Sequence, residues 1–119
     1  MVIAIKTDSD VPIYQQIRNQ IVLGISDGRL SPGEQLPTVR GLAEEIGVNV
    51  MTVNKAYQLL KQEGYICADR RSGAKVCNRF DGSPGLSVEA EERLKCIISE
   101  AKISGMSKED FIAVCGKYF

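Results

Sequence analysis

The side chains of residues 49–55 form the run in this sequence whose chemistry is easiest to interpret. An asparagine amide can donate to and accept from the edge of adenine, and methionine or threonine methyl groups can pack against the methyl group of thymine. Near the start of a helix, such side chains can reach base edges in the major groove of DNA, which is roughly 12 Å wide. The candidate base contacts are Asn49, Met51, Thr52 and Asn54. This set favours A·T-containing base steps over guanine-rich ones.

Four cationic side chains occur where they could hold DNA phosphates. Arg40 precedes the run, Lys55 closes it, and Arg70 and Arg71 lie in a later turn. Basic contacts to phosphate position a protein on the duplex without reading its sequence. Any one of these residues could equally be an ordinary solvated side chain, so the hypothesis of a DNA-binding surface depends on their joint order along the chain.

Three segments with apolar residues at helical spacing must position these side chains. The first is predicted over about residues 13–27, with Gln16 among the polar residues that face away from the core. The second is a short helix capped by Thr38 and stopped by Gly47, and the third runs to about Glu63. The predicted buried stripes are Tyr14, Ile17, Ile21 and Ile25 in the first helix, Val39, Leu42, Ala43 and Ile46 in the second, and Val53, Ala56, Tyr57 and Leu60 in the third.

Two short β-prone runs, residues 65–68 and 74–77, follow the third helix and enclose a turn that carries the two arginines. They predict a hairpin with a basic tip. The segment Leu30–Pro37, which contains two prolines and a Pro-Gly turn, is predicted to be an extended connector with at most a short strand. Helix, short helix, glycine-containing turn, helix and hairpin is the order of a winged helix-turn-helix. The predicted fold class is therefore α+β, mainly α.

A linker at residues 81–85 marks a predicted boundary, which gives a winged helix-turn-helix over residues 1–80 and a two-helix tail over residues 81–119. Ser87 and Ser107 are the predicted caps of the two tail helices, and Gly105 separates them. The predicted stripes are Ala90, Leu94, Ile97, Ile98 and Ala101, then Phe111, Val114, Cys115 and Tyr118. Two helices of this length cannot enclose a ligand pocket of about 300 Å³. The tail is thus interpreted as a dimerisation segment, with folding back onto its own winged helix as the alternative.

Composition bounds the remaining possibilities. The 119 residues are 44% hydrophobic and carry no net charge, but residues 1–80 hold ten basic against eight acidic side chains, and residues 81–119 hold five against seven. With no histidine, no C-x-x-C pair, no phosphate-binding glycine loop and no G-x-S-x-G motif, the sequence predicts no enzyme, no metal site and no cofactor. The absence of a long apolar run favours a cytoplasmic protein that makes no membrane contact.

At these residues the sequence resembles the GntR family of bacterial transcription regulators. The matching motifs are Gly33-x-x-Leu36-Pro37-Thr38-x-Arg40-x-Leu42-Ala43 and Gly47-Val48-Asn49-x-x-Thr52-Val53-x-x-Ala56-Tyr57. The start Pro12-Ile13-Tyr14-Gln15-Gln16-Ile17 and the short tail are similar to the YtrA-like branch of that family.

The resemblance implies a homodimer that represses a nearby operon, often one encoding an ABC transporter, by binding a double-stranded, pseudo-palindromic DNA operator. It carries the family's DNA contacts over to Arg40, Asn49, Thr52, Asn54, Lys55 and the wing residue Gly73. Val50 and Met51 stand where this branch often has proline and asparagine, and the wing lacks the family's usual second glycine. These departures bear on which operator is read rather than on the fold.

Two alternatives stay open at this point. A winged helix can serve as a protein–protein adaptor, because the fold alone does not fix the function. The chain could also be a sensor, either of an unidentified small-molecule effector or of redox state. For the redox version, Cys67 and Cys77 are equidistant from Ser72 and would face each other across the hairpin; the default expectation for all four cysteines is free, idle thiols.

Overall fold

Five helices and one two-stranded antiparallel sheet make up the described part of the chain, residues 1–68, 73–77 and 84–119 of a computed structural model. The order is α1 Ile13–Ser26, α2 Val39–Ile46, α3 Val50–Glu63, β1 Ile66–Cys67, β2 Lys75–Val76, α4 Val88–Ile103 and α5 Lys108–Gly116. The predicted α+β, mainly helical class is confirmed. Contacts divide the chain into two compact units, Met1–Arg79 and Phe80–Phe119.

The core of the first unit lies between α1, α2 and α3. Both α1 and α2 pack against α3, which therefore has a fully buried side. The predicted stripe of α3 is confirmed, since Val53, Ala56, Tyr57 and Leu60 are each at most 2% exposed. Complete burial of an aliphatic side chain contributes roughly 1.5–3 kcal/mol, so this side fixes the rotation of α3 about its own axis.

The N-terminal arm, residues 1–7, is held against α1 by two glutamine side chains one helical turn apart. Gln16 is 9% exposed, so the prediction that it faces away from the core is wrong. Its Nε2 donates to the carbonyl oxygens of Lys6 and Val11, and its Oε1 accepts from the Lys6 N–H, each at 2.9 Å. Gln20 likewise accepts from the Ala4 N–H through its Oε1 and donates to the Ala4 carbonyl oxygen through its Nε2. These partners satisfy the Gln16 amide, which allows it to be buried.

The hairpin pairs Ile66 with Val76 and Cys67 with Lys75. Gln35, in the connector predicted to be extended with at most a short strand, forms an isolated antiparallel bridge with Lys75. The Leu36 N–H donates to the Ala74 carbonyl at 3.0 Å, which fixes the connector along the other edge of β2.

The expectation that Cys67 and Cys77 face each other is wrong, because the register places each of them opposite another residue. Cys67 lies opposite Lys75, and the Cys77 N–H donates to the carbonyl of Tyr65 at 3.0 Å. The two cysteines are thus offset by two residues along the ladder. Direct cross-strand neighbours have Cβ atoms about 4.5–5.5 Å apart, and diagonal ones are farther apart.

In the second unit, α4 and α5 begin at the predicted caps. The Ser87 hydroxyl accepts from the Ala90 N–H and the Ser107 hydroxyl from the Asp110 N–H, both at 3.1 Å. No residue of the described range 84–119 is buried. Helix α5 ends at Gly116, so Tyr118, which was predicted to extend its stripe, lies beyond the helix and is 84% exposed. Among the described residues, no helix has the length and apolar character needed to cross a bilayer.

Candidate nucleic-acid interface

A tight connection between α2 and α3 sets the direction in which α3 starts. The Thr38 hydroxyl accepts from the Gly41 N–H at 3.0 Å and caps α2 at its start, as predicted. Gly47 ends α2 in the left-handed region at φ +71°, where a residue with a side chain would be strained. Asn49 then caps α3. Residues 47–49 thus turn the chain between the two helices.

The side of α3 opposite the core presents the predicted base contacts to the surroundings. Met51 is 72% exposed, Asn54 and Lys55 are exposed, and Thr52 is half-buried. We call the exposed side formed by Asn49, Met51, Thr52, Asn54 and Lys55 the α3 outer face. Arg40, in the first turn of α2, is exposed as well.

Asn49 is more than an exposed amide, because its Oδ1 accepts from the N–H of Met51 at 2.7 Å and so caps α3. A bidentate pair with adenine needs both a donor and an acceptor from the asparagine side chain. In this arrangement the Asn49 Nδ2 is free to donate to a base. Its Oδ1 would have to accept a hydrogen bond from the base in addition to the one from the Met51 N–H. The cap was not predicted, although an asparagine directly before a helix is the sequence signal for one.

The Lys55 ammonium group lies over the aromatic ring of Tyr14. Its Nζ lies 4.1 Å from the centroid of the Tyr14 ring, which belongs to the first turn of α1. That distance is within the range of an attractive cation–π contact. Tyr14 was predicted as a core residue and is half-buried. No sequence signal links the two residues, because they are far apart along the chain.

Two polar contacts fix α3 against its neighbours. The Tyr57 hydroxyl donates to the Pro37 carbonyl at 2.8 Å and so ties the connector before α2 to the middle of α3. Burial raises the pKa of Tyr57, which keeps the hydroxyl neutral and able to donate. Arg18 forms a bidentate pair with Glu63, with both nitrogen–oxygen distances at 2.9 Å, and the hydrogen bond to Glu63 raises the pKa of Arg18.

The described part of the hairpin includes one predicted contact, Gly73. It is exposed, and its φ of +88° lies in the left-handed region, so the local backbone favours glycine although a Cβ would meet open space. Arg70 and Arg71 lie outside the described residues. The structure therefore brings five predicted contacts together on the α3 outer face, with Arg40 on the preceding helix.

Comparison with known proteins points to one family. Residues 13–76 match the family model described as bacterial regulatory proteins, gntR family. The chain is 36% identical over 109 residues to the HTH-type transcriptional repressor YtrA of Bacillus subtilis, a match that spans 90% of this chain and 84% of the repressor. It is 33% identical over 99 residues to the HTH-type transcriptional regulator Rv1152 of Mycobacterium tuberculosis, spanning 83% of this chain and 78% of that protein.

Solved structures show the same fold. A transcriptional antiterminator from Listeria monocytogenes EGD-e superposes with a TM-score of 0.86 at 32% identity over 99% of this chain and 90% of its own. YtrA from Sulfolobus acidocaldarius, a GntR-family transcription factor, gives 0.60 at 38% identity over 97% and 94% of the two chains. AraR(DBD) in complex with operator ORX1 gives 0.55 at 25% identity over 62% and 93%. The predicted winged helix-turn-helix and the resemblance to the YtrA-like branch are thus confirmed.

Proposed function

Because this chain belongs to the GntR family of bacterial regulatory proteins, we propose that it is a sequence-specific transcription repressor that binds its operator as a homodimer. The relatives described above are transcriptional regulators rather than enzymes. As the resemblance to the YtrA-like branch implies, the operon that the protein represses would encode a transporter.

The α3 outer face carries this proposal. The buried residues of α3 occupy its opposite side, so the outer face bears small polar or flexible side chains and the cation of Lys55. A helix of this kind can enter the major groove, with Met51 and Asn54 toward the bases and Lys55 toward a phosphate. The operator complex of AraR(DBD) supports this, since that domain has the same fold.

Exposed apolar surface on α4 and α5 supports the homodimer. Ile97 is 50% exposed, Ile103 87% and Ile112 57%, and no residue of the described range 84–119 is buried. Large exposed apolar areas on proteins mark interaction sites, and apolar side chains are exposed on both helices of this unit. A second copy with the same surface would cover it and would bring two α3 helices onto one duplex, about 34 Å or a multiple of that distance apart.

A mobility-shift assay with DNA from upstream of the protein's own gene tests the proposal. We expect binding at least about 10³-fold tighter than to random duplex of equal length, with an affinity that falls steeply as salt increases. Equal affinity for both duplexes would refute specific repression and would favour the adaptor alternative.

Arg40→Ala should weaken binding to operator and to random duplex alike, because phosphate contacts do not read sequence. Arg29→Ala is the matched control: Arg29 is equally cationic, but it follows α1 and pairs with Asp27 at 2.8 Å. A loss of the same size in both variants would show that charge in general, rather than charge beside α3, supports binding.

A further inference from the structure

The contact between Lys55 and Tyr14 joins the α3 outer face to the first turn of α1. The Lys55 Nζ lies 4.1 Å from the Tyr14 ring centroid, well inside the ~6 Å range of cation–π attraction. Lys55 is exposed while Tyr14 is half-buried, so the ring lies beneath the ammonium group and leaves its far side accessible.

The other cation–ring contact among the described residues, between Arg18 and Tyr65, involves a cation that is also ion-paired. Arg18 lies over the Tyr65 ring at 5.6 Å, but its guanidinium is also paired with Glu63 at 2.9 Å, so its charge is already compensated. Within residues 1–68, 73–77 and 84–119, the ion pairs involve Arg18 and Arg29, and Lys55 forms none. An aromatic face attracts a cation without neutralising its charge, whereas a carboxylate would cancel it.

We propose that Tyr14 is a positioning residue for DNA binding: its ring holds the Lys55 ammonium on the α3 outer face, in place for a phosphate of the operator. This inference rests on the proposed function. A free lysine side chain has a flexible four-carbon stem and loses rotamer freedom when it contacts a phosphate. A lysine already held over a ring has lost part of that freedom before DNA arrives, so the phosphate contact forms at lower entropic cost.

A double-mutant cycle on the full chain tests the coupling. Lys55→Met keeps most of the stem and removes the charge. In the chain that retains Tyr14 it should weaken operator binding about tenfold and reduce the slope of log K against log salt by about 1. In the Tyr14→Leu background the same substitution should cost about twofold, because the lysine is no longer held. Lys61→Met, in the last turn of the same helix, is the control and should cost the same in both backgrounds.

Tyr14→Phe distinguishes the ring from its hydroxyl, since it removes the oxygen and keeps the aromatic face. We expect it to bind operator as the wild type does. If Tyr14→Phe loses as much affinity as Tyr14→Leu, the hydroxyl touches DNA directly and the positioning role is refuted. An equal cost of Lys55→Met in the wild-type and Tyr14→Leu backgrounds, with wild-type operator binding intact, also refutes it.

An NMR measurement without DNA separates this inference from the proposed function. The ε-methylene protons of Lys55 should show an upfield ring-current shift in the wild type and in Tyr14→Phe, and lose it in Tyr14→Leu. Absence of that shift in the wild type overturns the inference whatever the DNA result. If the shift is present but the wild type shows no operator preference, the proposed function fails and the positioning role fails with it.

Discussion

At the scale of single residues, Asn49 caps α3 and is also a proposed base contact, and the sequence alone did not separate these two roles. Its Oδ1 accepts from the Met51 N–H at 2.7 Å and so stabilises the start of α3. Its Nδ2 is the group left to donate to a base edge. A substitution at this position can therefore change both protein stability and DNA recognition.

Two substitutions at position 49 should separate these roles. Asn49→Ala removes the cap and should lower the free energy of unfolding by about 0.5–2 kcal/mol, whereas Asn49→Ser keeps a capping oxygen and should leave it nearly unchanged. Both lose the amide, and both should lose about 1–3 kcal/mol of discrimination at one base pair per half-site. Urea denaturation and binding to single-base operator variants measure the two effects. If Asn49→Ser discriminates between single-base operator variants as strongly as the wild type does, the Asn49 amide is a cap and reads no base.

Tyr57 should make stability depend on pH in the alkaline range. Burial raises the pKa of Tyr57 in the folded state above its unfolded value of about 10. The stabilisation is complete below pH 10 and is lost as the pH rises through the folded-state pKa, because the unfolded state ionises first. The loss should reach about 1.4 kcal/mol per pH unit.

Tyr57→Phe is the comparison for that pH dependence. At pH 8 it should be less stable by about 0.5–1.5 kcal/mol, because the Pro37 carbonyl loses its 2.8 Å donor. The difference between wild type and variant should then shrink between pH 10 and 11, since the variant has nothing to ionise at this position. A difference in unfolding free energy that stays constant over that range would contradict a buried, neutral Tyr57 hydroxyl.

At the scale of elements, periodicity predicted the helices well and the contacts of polar residues poorly. The stripe of α3 was predictable because four apolar residues recur at 3.6-residue spacing over a helix with a single buried side. Gln16 was missed because glutamine on a helix is ordinarily solvated, and its burial depends on the distant backbone of Lys6. The hairpin register was missed because symmetry about Ser72 places Cys67 opposite Cys77, whereas the actual pairing is with Lys75.

The N-terminal arm should detach when its glutamine contacts are removed. Gln16→Ala removes the acceptor of the Lys6 N–H, and that amide should exchange with solvent about tenfold faster. Gln15→Ala is the matched control, because Gln15 bonds to Asn19 within α1 and does not reach the arm. Hydrogen exchange followed by NMR gives the rate for the single amide. Unchanged protection of Lys6 in Gln16→Ala would mean that the arm is held without Gln16, by its apolar residues and by the bonds between Gln20 and Ala4.

At the scale of the whole molecule, the second unit has cap residues that define its helices but no buried residue among those described. Such a segment gains little from intrinsic helix propensity, since most helix stability in proteins comes from packing. The sequence predicted its helices and its apolar stripes. From these stripes it also predicted a dimerisation segment, which stays a prediction, because no described residue of this unit is buried against anything.

A charge placed on α4 should therefore dissociate the proposed dimer. Ile97 is 50% exposed, and Ile97→Glu should raise the dimer dissociation constant more than about tenfold, since it removes an apolar side chain worth roughly 1.5–3 kcal/mol when buried. Ser99→Glu adds the same charge on the same helix and should have a much smaller effect. Sedimentation equilibrium measures the constant for both. Equal sedimentation of the wild type and Ile97→Glu as monomers would refute tail-mediated dimerisation.

The central claim is that the α3 outer face meets the bases of DNA, and the methionine methyl groups test it most directly. The chain has three methionines, Met1 in the arm, Met51 on that face and Met106 in the second unit, so a methionine-methyl-labelled sample gives three assignable NMR signals. Addition of operator DNA should shift or broaden Met51 most strongly, and random duplex of the same length should affect it less. If operator DNA binds tightly while the Met51 signal stays unchanged, another surface contacts the DNA and the claim is wrong.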